Sequence, residues 1–563
     1  MAEIEHFELP ISFLKSKRET DANLISDLEL LDTDSNDSLY SHVFNPDNSF
    51  AKGVLPMWGK HYTSDNNFIK ESQKLYKKRF PEQKTRHIDI EKVWNDITTE
   101  TGFHEKYQYM DWSFFEKFNN SSQFLQCLSM YNLTSPILSL ALPIIFLLIP
   151  FLLLKLRGVA ITLSKYCEVL KQVFQRHQLG QILNIGSASW DKRIYIIISL
   201  VFYCIQVYQN IMSCYGFYTN TKKIHKQLFT IRDYLTETIE HMDAFDENCQ
   251  GLKTYQPFIV NMRKQRTTLQ HMHSEFCKIT PNKMSLAKAA QIGHVMKCFY
   301  QLYKRPAYRE ALQYSFGFSG YMSNIQGLVR NVGKKQMNPC KITATRTKFT
   351  GAHFPAIMDR EPVKNTYGLD KQLIITGPNA AGKTTLLKTT LFNVLLSQQV
   401  GHGFYKSASV APFDVIHSYI NIPDTSGRDS LFQAEARRCR NILDSIETPG
   451  LRHFCVFDEL YSGTNPYEAI GSATAFLRYL NKHNDVSFVL TTHFLDLCKR
   501  LNDDDNIQNY HMKISSHENS FVYTYKMQKG ISSIKGGVKV LRDLDYPQEI
   551  IDGSTEIIND LTI

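Results

Sequence analysis

The order of apolar and polar positions divides the chain into stretches of different character. Residues 1–130 are mixed and polar, a loop-and-helix pattern punctuated by Trp58, Trp94 and Trp112, with no catalytic motif. Ser135 to Leu154 and Ile194 to Tyr218 then run twenty and twenty-five residues without a charged side chain. Each is long enough to cross a bilayer core of about 30 Å as a helix. Two membrane spans are the natural reading, and a buried helix of a large soluble core is the competing one. Pro136, Pro143 and Pro150 tilt the balance toward lipid, where neighbours can satisfy the freed carbonyls. Lys155, Arg157, Lys165, Lys171, Arg176, Lys192 and Arg193 lie between the two stretches, on the wrong side for a simple hairpin whose C-terminal part faces the cytosol. One segment can instead dip into the bilayer or lie along its surface. Ile224, Leu228, Ile231, Leu235, Ile239 and Met242 recur at intervals of three and four, one apolar stripe on a helix. Joined to the second apolar stretch it predicts a lever on the order of 75 Å long; an ordinary bundle helix fits the same periodicity. Near the C-terminus, Leu373–Thr376, Phe454–Phe457 and Val486–Leu490 are short apolar runs of strand type, with an apolar helical stretch at Leu386–Leu396.

Composition narrows the class. A length of 563 residues predicts three or four domains. With 21% charged and 43% hydrophobic residues the chain is folded rather than disordered or fibrous. Eleven cysteines without a C-x-x-C pair, and an acidic start without an apolar signal core, predict a reduced, intracellular setting. The net charge of +9 is unevenly spread: eleven acids face three bases in the first fifty residues, whereas residues 251–350 carry a net +15. Such a block suits a polyanion, either nucleic acid or anionic lipid.

The chemistry concentrates after Gln372. Gly377-Pro378-Asn379-Ala380-Ala381-Gly382-Lys383-Thr384 follows a strand-type run and precedes a helical one. Glycines let backbone N–H groups turn onto phosphates at a helix N-terminus, Lys383 reaches the β and γ oxygens, and the Thr384 hydroxyl is a magnesium ligand. Gly377 to Thr385 form the candidate ATP-binding set. Asp458-Glu459 end the Phe454–Phe457 run, where a parallel sheet presents groups to a ligand; Asp458 is placed to hold Mg2+ and Glu459 to polarise the attacking water. Val486–Leu490 ends in Thr491-Thr492-His493, which sets an imidazole at the same sheet edge. Lys383, Glu459 and His493 are the candidate catalytic residues.

Gly-Pro-Asn-x-x-Gly-Lys-Thr, Asp458 to Glu468, Thr491-Thr-His-Phe and Lys526-Met-Gln-Lys-Gly530-Ile-Ser532 together resemble the ATPase domain of the MutS family of DNA mismatch-repair proteins, from about Ala352, where His353-Phe-Pro355 echoes a family His-Pro, to about Asp552. The resemblance implies an α/β P-loop NTPase of the ABC class and MutS type. It implies that Ser430 is the signature serine that approaches the γ-phosphate of an opposite subunit, that Asn379 is the family's loop asparagine, and that Gly463 and Thr464 lie at a dimer seam. Without the family, Ser430 is an N-cap for a helix over about Leu431–Ile446. The resemblance also implies ATP and Mg2+ as ligands and a homodimer, or a heterodimer with a related subunit.

The departures from that family matter as well. A literal Phe114-Phe115-Glu116 copies the mismatch-reading wedge, but the apolar stretch starting about twenty residues later leaves no space for a wedge domain, and both rings read as packing aromatics. His271, His273 and Cys277 read as structural rather than metal ligands. Tyr300, Tyr303, Tyr308, Tyr314, Phe316, Phe318 and Tyr321 read first as an aromatic core, and second as a stacking or interfacial surface.

The chain thus reads as an acidic mixed region (1–130), an apolar region with two candidate transmembrane helices (131–218, spans 135–154 and 194–218), a basic helical lever-like domain (219–345) and a MutS-type ATPase domain (346–563). Its expected work is ATP-driven DNA repair or recombination through the basic 251–350 region. The alternative is a membrane-anchored ATPase held by 135–154 and 194–218, with the ATPase domain in the cytosol, that remodels or organises without reading mismatches. A transport ATPase is disfavoured, because Ser-Leu-Phe-Gln-Ala-Glu stands where Leu-Ser-Gly-Gly would.

Overall fold

In the computed structural model the apolar runs beginning at Leu373, Phe454 and Val486 are strands of one six-stranded sheet. Its spatial order is Ser520–Lys529, Ile507–His517, Gln372–Thr376, Val486–Thr492, His453–Asp458 and Val415–Tyr419. The first pair is antiparallel and every other neighbour parallel. His453 to Phe457 are buried without alternation, as a strand covered on both faces requires. The structure describes residues 4–31, 38–82, 87–158, 162–176, 180, 189–281, 290–357, 361–422, 430–517, 520–532, 538, 541–542 and 544–560. It divides into two units, one of residues 1–83, 240–265 and 313–563, the other of 84–239 and 266–312.

In the first unit the helix Lys383–Val400 is buried along almost its whole length, although Asn393, Ser397, Gln398 and Gln399 interrupt its apolar positions. Each of these polar groups has a partner. Gln399 Nε2 donates to Trp58 O at 2.7 Å and accepts at Oε1 from the Tyr40 hydroxyl at 3.0 Å. Gln398 Nε2 donates to Phe413 O at 2.8 Å and Thr63 O at 3.1 Å. The N-terminal segment is therefore part of this unit's core, tied to the helix through hydrogen bonds that buried amides require.

The helix Pro306–Gly333 lets that segment approach by means of small residues. A Cβ on Gly320 would lie 2.3 Å from Phe50 O, and one on Gly327 would lie 1.6 Å from Phe44 O. One turn further on, Asn331 Nδ2 donates to His42 O and Val43 O at 2.9 and 2.8 Å. It thereby satisfies carbonyls left open at the end of the helix Leu39–Phe44.

His417 and His453 stack in parallel on neighbouring strands, with Nε2 of the first 3.2 Å from Nδ1 of the second. Burial, and after it the neighbouring His453, lowers the His417 pKa from 6.5 to about 4. Burial lowers that of His453 also. Between about pH 4 and 6.5 the unfolded chain thus binds protons that the folded one refuses, so stability falls as the solution is acidified through this window. At about 1.4 kcal/mol per pH unit for one proton, His417 alone accounts for about 3 kcal/mol. Denaturant titrations at pH 7.5 and 4.5 are expected to show this loss, and His417→Asn is expected to reduce it.

In the second unit, Ser122–Leu156 is one helix of 35 residues that continues through positions 136, 143 and 150. Trp190–Asn248, whose residues 190–239 belong to this unit, is one helix of 59 residues, so the apolar stretch and the periodic stripe after it are a single element. Ile224, Leu228, Ile231 and Leu235 are buried, whereas in the preceding apolar run only Ile196 and Phe217 are. Among the described residues Trp190–Asn248 is the one helix long and apolar enough to cross a membrane, and only 6% of its apolar window is buried. The competing reading of a buried core helix does not hold for it. The stretch 135–154 lies within Ser122–Leu156, and part of its side chains falls outside the described residues.

The rings of Phe114 and Phe115 are exposed rather than packed. The turn Glu116–Asn120 is fixed from inside, where buried Asn119 bonds both the N–H and the carbonyl of Met110, and this directs the aromatics outward. In the first unit Tyr314, Phe316, Phe318 and Tyr321 are buried, as an aromatic core, and in the second Tyr308 is buried. His273 bonds the Thr236 hydroxyl at 2.9 Å and His271 that of Tyr308 at 2.8 Å. Among the described residues no cluster of three His, Cys, Asp or Glu is placed to hold a metal.

Candidate nucleotide site

The strand Gln372–Thr376 ends in a loop that re-enters the helix Lys383–Val400 at Gly382. Gly382 has φ 90°, a left-handed conformation that glycine adopts freely. A Cβ there would also lie 3.0 Å from the Tyr525 ring. Gly382 is the N-cap and offers no side-chain acceptor, so the first N–H groups of the helix keep their capacity for an anion. The Lys383 ammonium folds back over the loop, donating to Gly377 O at 2.9 Å and Pro378 O at 3.2 Å. Burial lowers its pKa, an effect that the Glu459 and Asp458 carboxylates oppose.

Strand register brings the remaining groups to the same edge. Asp458 pairs with Thr491, and Thr492 with Thr376, so the polar residues after three parallel strands converge at their carboxyl ends, where open α/β sheets bind ligands. Asp458 accepts from the Thr384 hydroxyl at 2.8 Å through Oδ2 and from the Thr491 hydroxyl through Oδ1. Glu459 has a left-handed backbone, φ 53°. Its carboxylate lies 2.6 Å from His493 Nε2, and the same nitrogen is 3.2 Å from Lys383 Nζ. Because the carboxylate can only accept, Nε2 carries the proton, and the ammonium directs its own protons to the loop carbonyls instead. The hydrogen bond from His493 holds the Glu459 pKa below the usual carboxylate range.

A cavity of about 510 Å³ opens in front of the loop. Asn379, Ala380, Gly382 to Thr385 and Glu459 form one side, and His353, Phe354, Met512 and Tyr525 are among the residues of the other. Buried Asn365 organises that second wall, donating to Tyr525 O at 3.0 Å and accepting from Met527 N at 2.9 Å. Sequence reasoning did not single out Met512, Tyr525, Asn365 or the Asp458 partner role of Thr491. Met512 and Tyr525 belong to a hairpin, Ile507–His517 with Ser520–Lys529, distant from the loop in sequence, and the motif that begins at Lys526 includes neither of them.

Ser430 is exposed and caps the helix Leu431–Ile446 in a reciprocal capping box with Gln433. Gly463 and Thr464 belong to the turn after the acidic pair. The Glu435 carboxylate, buried within the Ser430 helix, accepts from Gly463 N at 3.1 Å and the Ser462 hydroxyl at 3.2 Å. The Thr464 hydroxyl donates to Glu468 at 2.7 Å. Glu435 thus ties Ser462 and Gly463 to the helix that Ser430 caps, and Thr464 is bonded into the first turn of the helix Pro466–Leu480.

The arrangement offers phosphate-binding amides, a cation, an oxygen pair suited to a hard divalent metal and a carboxylate held ionised by an imidazole. A family model described as MutS domain V matches residues 373–562. The chain is similar to the DNA mismatch repair protein MutS of Bacteroides fragilis, 30% identical over 192 residues, which is 34% of this chain and 22% of that protein. It is similar to the protein of the same name from Leuconostoc citreum, 29% identical over 236 residues, 38% of this chain and 27% of that protein. The chain spans about a quarter of the length of the curated relatives it matches.

Proposed function

Since the chain belongs to the MutS family through residues 373–562, we propose that it binds Mg-ATP on the Gly377–Thr385 loop of an α/β P-loop domain and hydrolyses it, the cycle moving two copies against each other. One observation carries this reading: Lys383, Thr384, Asp458, Glu459 and His493, from three strand ends, meet through hydrogen bonds and close contacts. Catalysis is then positioning plus electrostatics. The Lys383 ammonium and the helix N-terminus oppose the charge on the transferred phosphoryl group. The Glu459 carboxylate orients water, and His493 holds that carboxylate in place. The Thr384 hydroxyl and Asp458 carboxylate would hold Mg2+, two oxygen ligands being a usual protein share for an ion that keeps waters and phosphate oxygens. The bound ion would neutralise phosphate charge. In the second copy, exposed Ser430 would face this γ-phosphate across a seam containing Gly463 and Thr464, with Tyr467, also exposed, beside it.

Lys383→Ala is expected to lower phosphate release about 10²–10³-fold and to weaken nucleotide binding while the circular dichroism stays unchanged. An undiminished rate would refute the assignment. DNA is the substrate that the relatives' name suggests, and the +15 of residues 251–350 is suited to it. The mark of that reading is salt-sensitive DNA binding that stimulates the ATPase.

A second reading, a membrane-anchored ATPase facing the cytosol, rests on the exposure of Ile194–Tyr218. A helix apolar on every side and left uncovered is matched to lipid rather than to one docking face. Membrane fractionation with ATPase assays in the presence and absence of DNA separates the two.

A further inference from the structure

Trp112, Phe114, Phe115 and Phe118 project from a turn that the protein holds rigidly, and we propose that this turn is an interfacial anchor, its rings seated at the boundary between headgroups and acyl chains of a phospholipid bilayer. The proposal rests on the membrane reading above and adds where the bilayer surface meets the chain.

The turn is placed by hydrogen bonds. Gln108 Nε2 donates to the Ser213 hydroxyl at 3.0 Å and Asn220 Nδ2 to Lys106 O at 2.9 Å. The segment that leads into the aromatics is thus tied to residues 213–220, where the apolar run of the helix Trp190–Asn248 ends. The Cys214 thiol donates to Leu133 O at 3.4 Å, so the uncharged stretch from Ser135 begins at this level too. Two apolar runs end at this level, beside the segment that leads into the aromatic turn. Within the turn, Asn119 closes the loop on Met110, and Glu116 takes a hydrogen bond from the Tyr300 hydroxyl and an ion pair from Lys304, both at 3.0 Å. The polar side is locked inward, and Trp112 and Phe114 are left 71% and 73% exposed.

The chemistry suits a bilayer surface better than a second copy of the chain. Tryptophan and its aromatic neighbours favour the membrane–water boundary. Lys117 lies 5.6 Å and 5.9 Å from the centroids of Phe114 and Phe118, so its stem can follow the rings while the ammonium reaches anionic headgroups. Exposed Lys222 and Lys226 follow the apolar run on the helix. At its other end stands Trp190, 76% exposed with Arg193 over its ring. The twenty-five residues from Ile194 to Tyr218 span about 37 Å at 1.5 Å each, enough for a core of about 30 Å with some tilt.

The test uses the full chain reconstituted in phosphatidylcholine–phosphatidylglycerol vesicles containing lipids brominated either near the headgroup end or deep in the acyl chain. Trp112 emission is taken as the difference between the wild-type protein and Trp112→Phe, and vesicle association is read separately by flotation after carbonate washing. The expected result is flotation with Trp112 quenched at least twofold more by shallow than by deep bromine, and return of that quenching when Phe114→Trp is added to Trp112→Phe. Flotation with Trp112 insensitive to both lipids overturns the anchor and leaves the membrane reading standing. Emission that shifts blue with protein concentration but ignores bromine assigns the turn to a second copy and also overturns it. Failure to float removes the membrane reading, and the anchor with it.

Discussion

Glu459→Gln is expected to lower ATP turnover by about 10²-fold or more, the range for a removed acid–base group, while nucleotide affinity changes little. The substitution keeps size and hydrogen-bonding capacity but removes the charge that accepts from His493 at 2.6 Å and faces Lys383. Because His493 holds the carboxyl below the usual acid range, Glu459 stays ionised throughout neutral pH. The defect in the variant is therefore expected to be independent of pH between 6 and 8. Phosphate release under steady state, set beside equilibrium binding of a fluorescent ATP analogue, separates the two quantities. A variant that turns over at the wild-type rate would remove Glu459 from the chemistry, and one that loses binding would make it a ligand instead.

Gly327→Leu is expected to destabilise the first unit by about 3 kcal/mol or more, the upper part of the usual range for overpacking. The atom that a side chain would strike is backbone, Phe44 O, at 1.6 Å from the ideal Cβ. Relief requires the helix Leu39–Phe44 to move, and with it the carbonyls that Asn331 caps. The denaturation midpoint should fall with little change in slope. Gly333→Leu, at a position where an added Cβ meets nothing within 4 Å, is the control and should change the midpoint little. Equal midpoints for Gly327→Leu and wild type would show that this approach contributes nothing to stability.

The parts of the candidate site that lie next to each other in sequence were legible there, because they are local solutions to local problems. A loop that wraps phosphates needs glycines and a lysine at fixed spacing, and an acidic pair needs a buried strand to present it. Those runs are strands at adjacent positions in the sheet, with their ends together. The far wall of the cavity was not legible. Met512 and Tyr525 reach it because a long hairpin adds to the parallel sheet at its edge, and the motif that starts at Lys526 does not say where that hairpin pairs. Phe114 and Phe115 were misread as packing rings for a related reason: composition reports that a residue is apolar, and only the inward lock by Asn119 and Glu116 decides which way it points.

By itself the sequence determined the periodicities, the length of each uncharged run, the loop and acidic-pair chemistry of the C-terminal region and its likeness to the MutS family, since all of these are properties of neighbouring residues. Only the tertiary structure decided that residues near the N-terminus complete the core around the helix Lys383–Val400, that Ile194–Tyr218 stands uncovered rather than buried, and which distant side chains share a cavity. Burial and proximity are set by contacts between segments far apart along the chain. The energy of those contacts depends on the whole packing arrangement and on no single stretch.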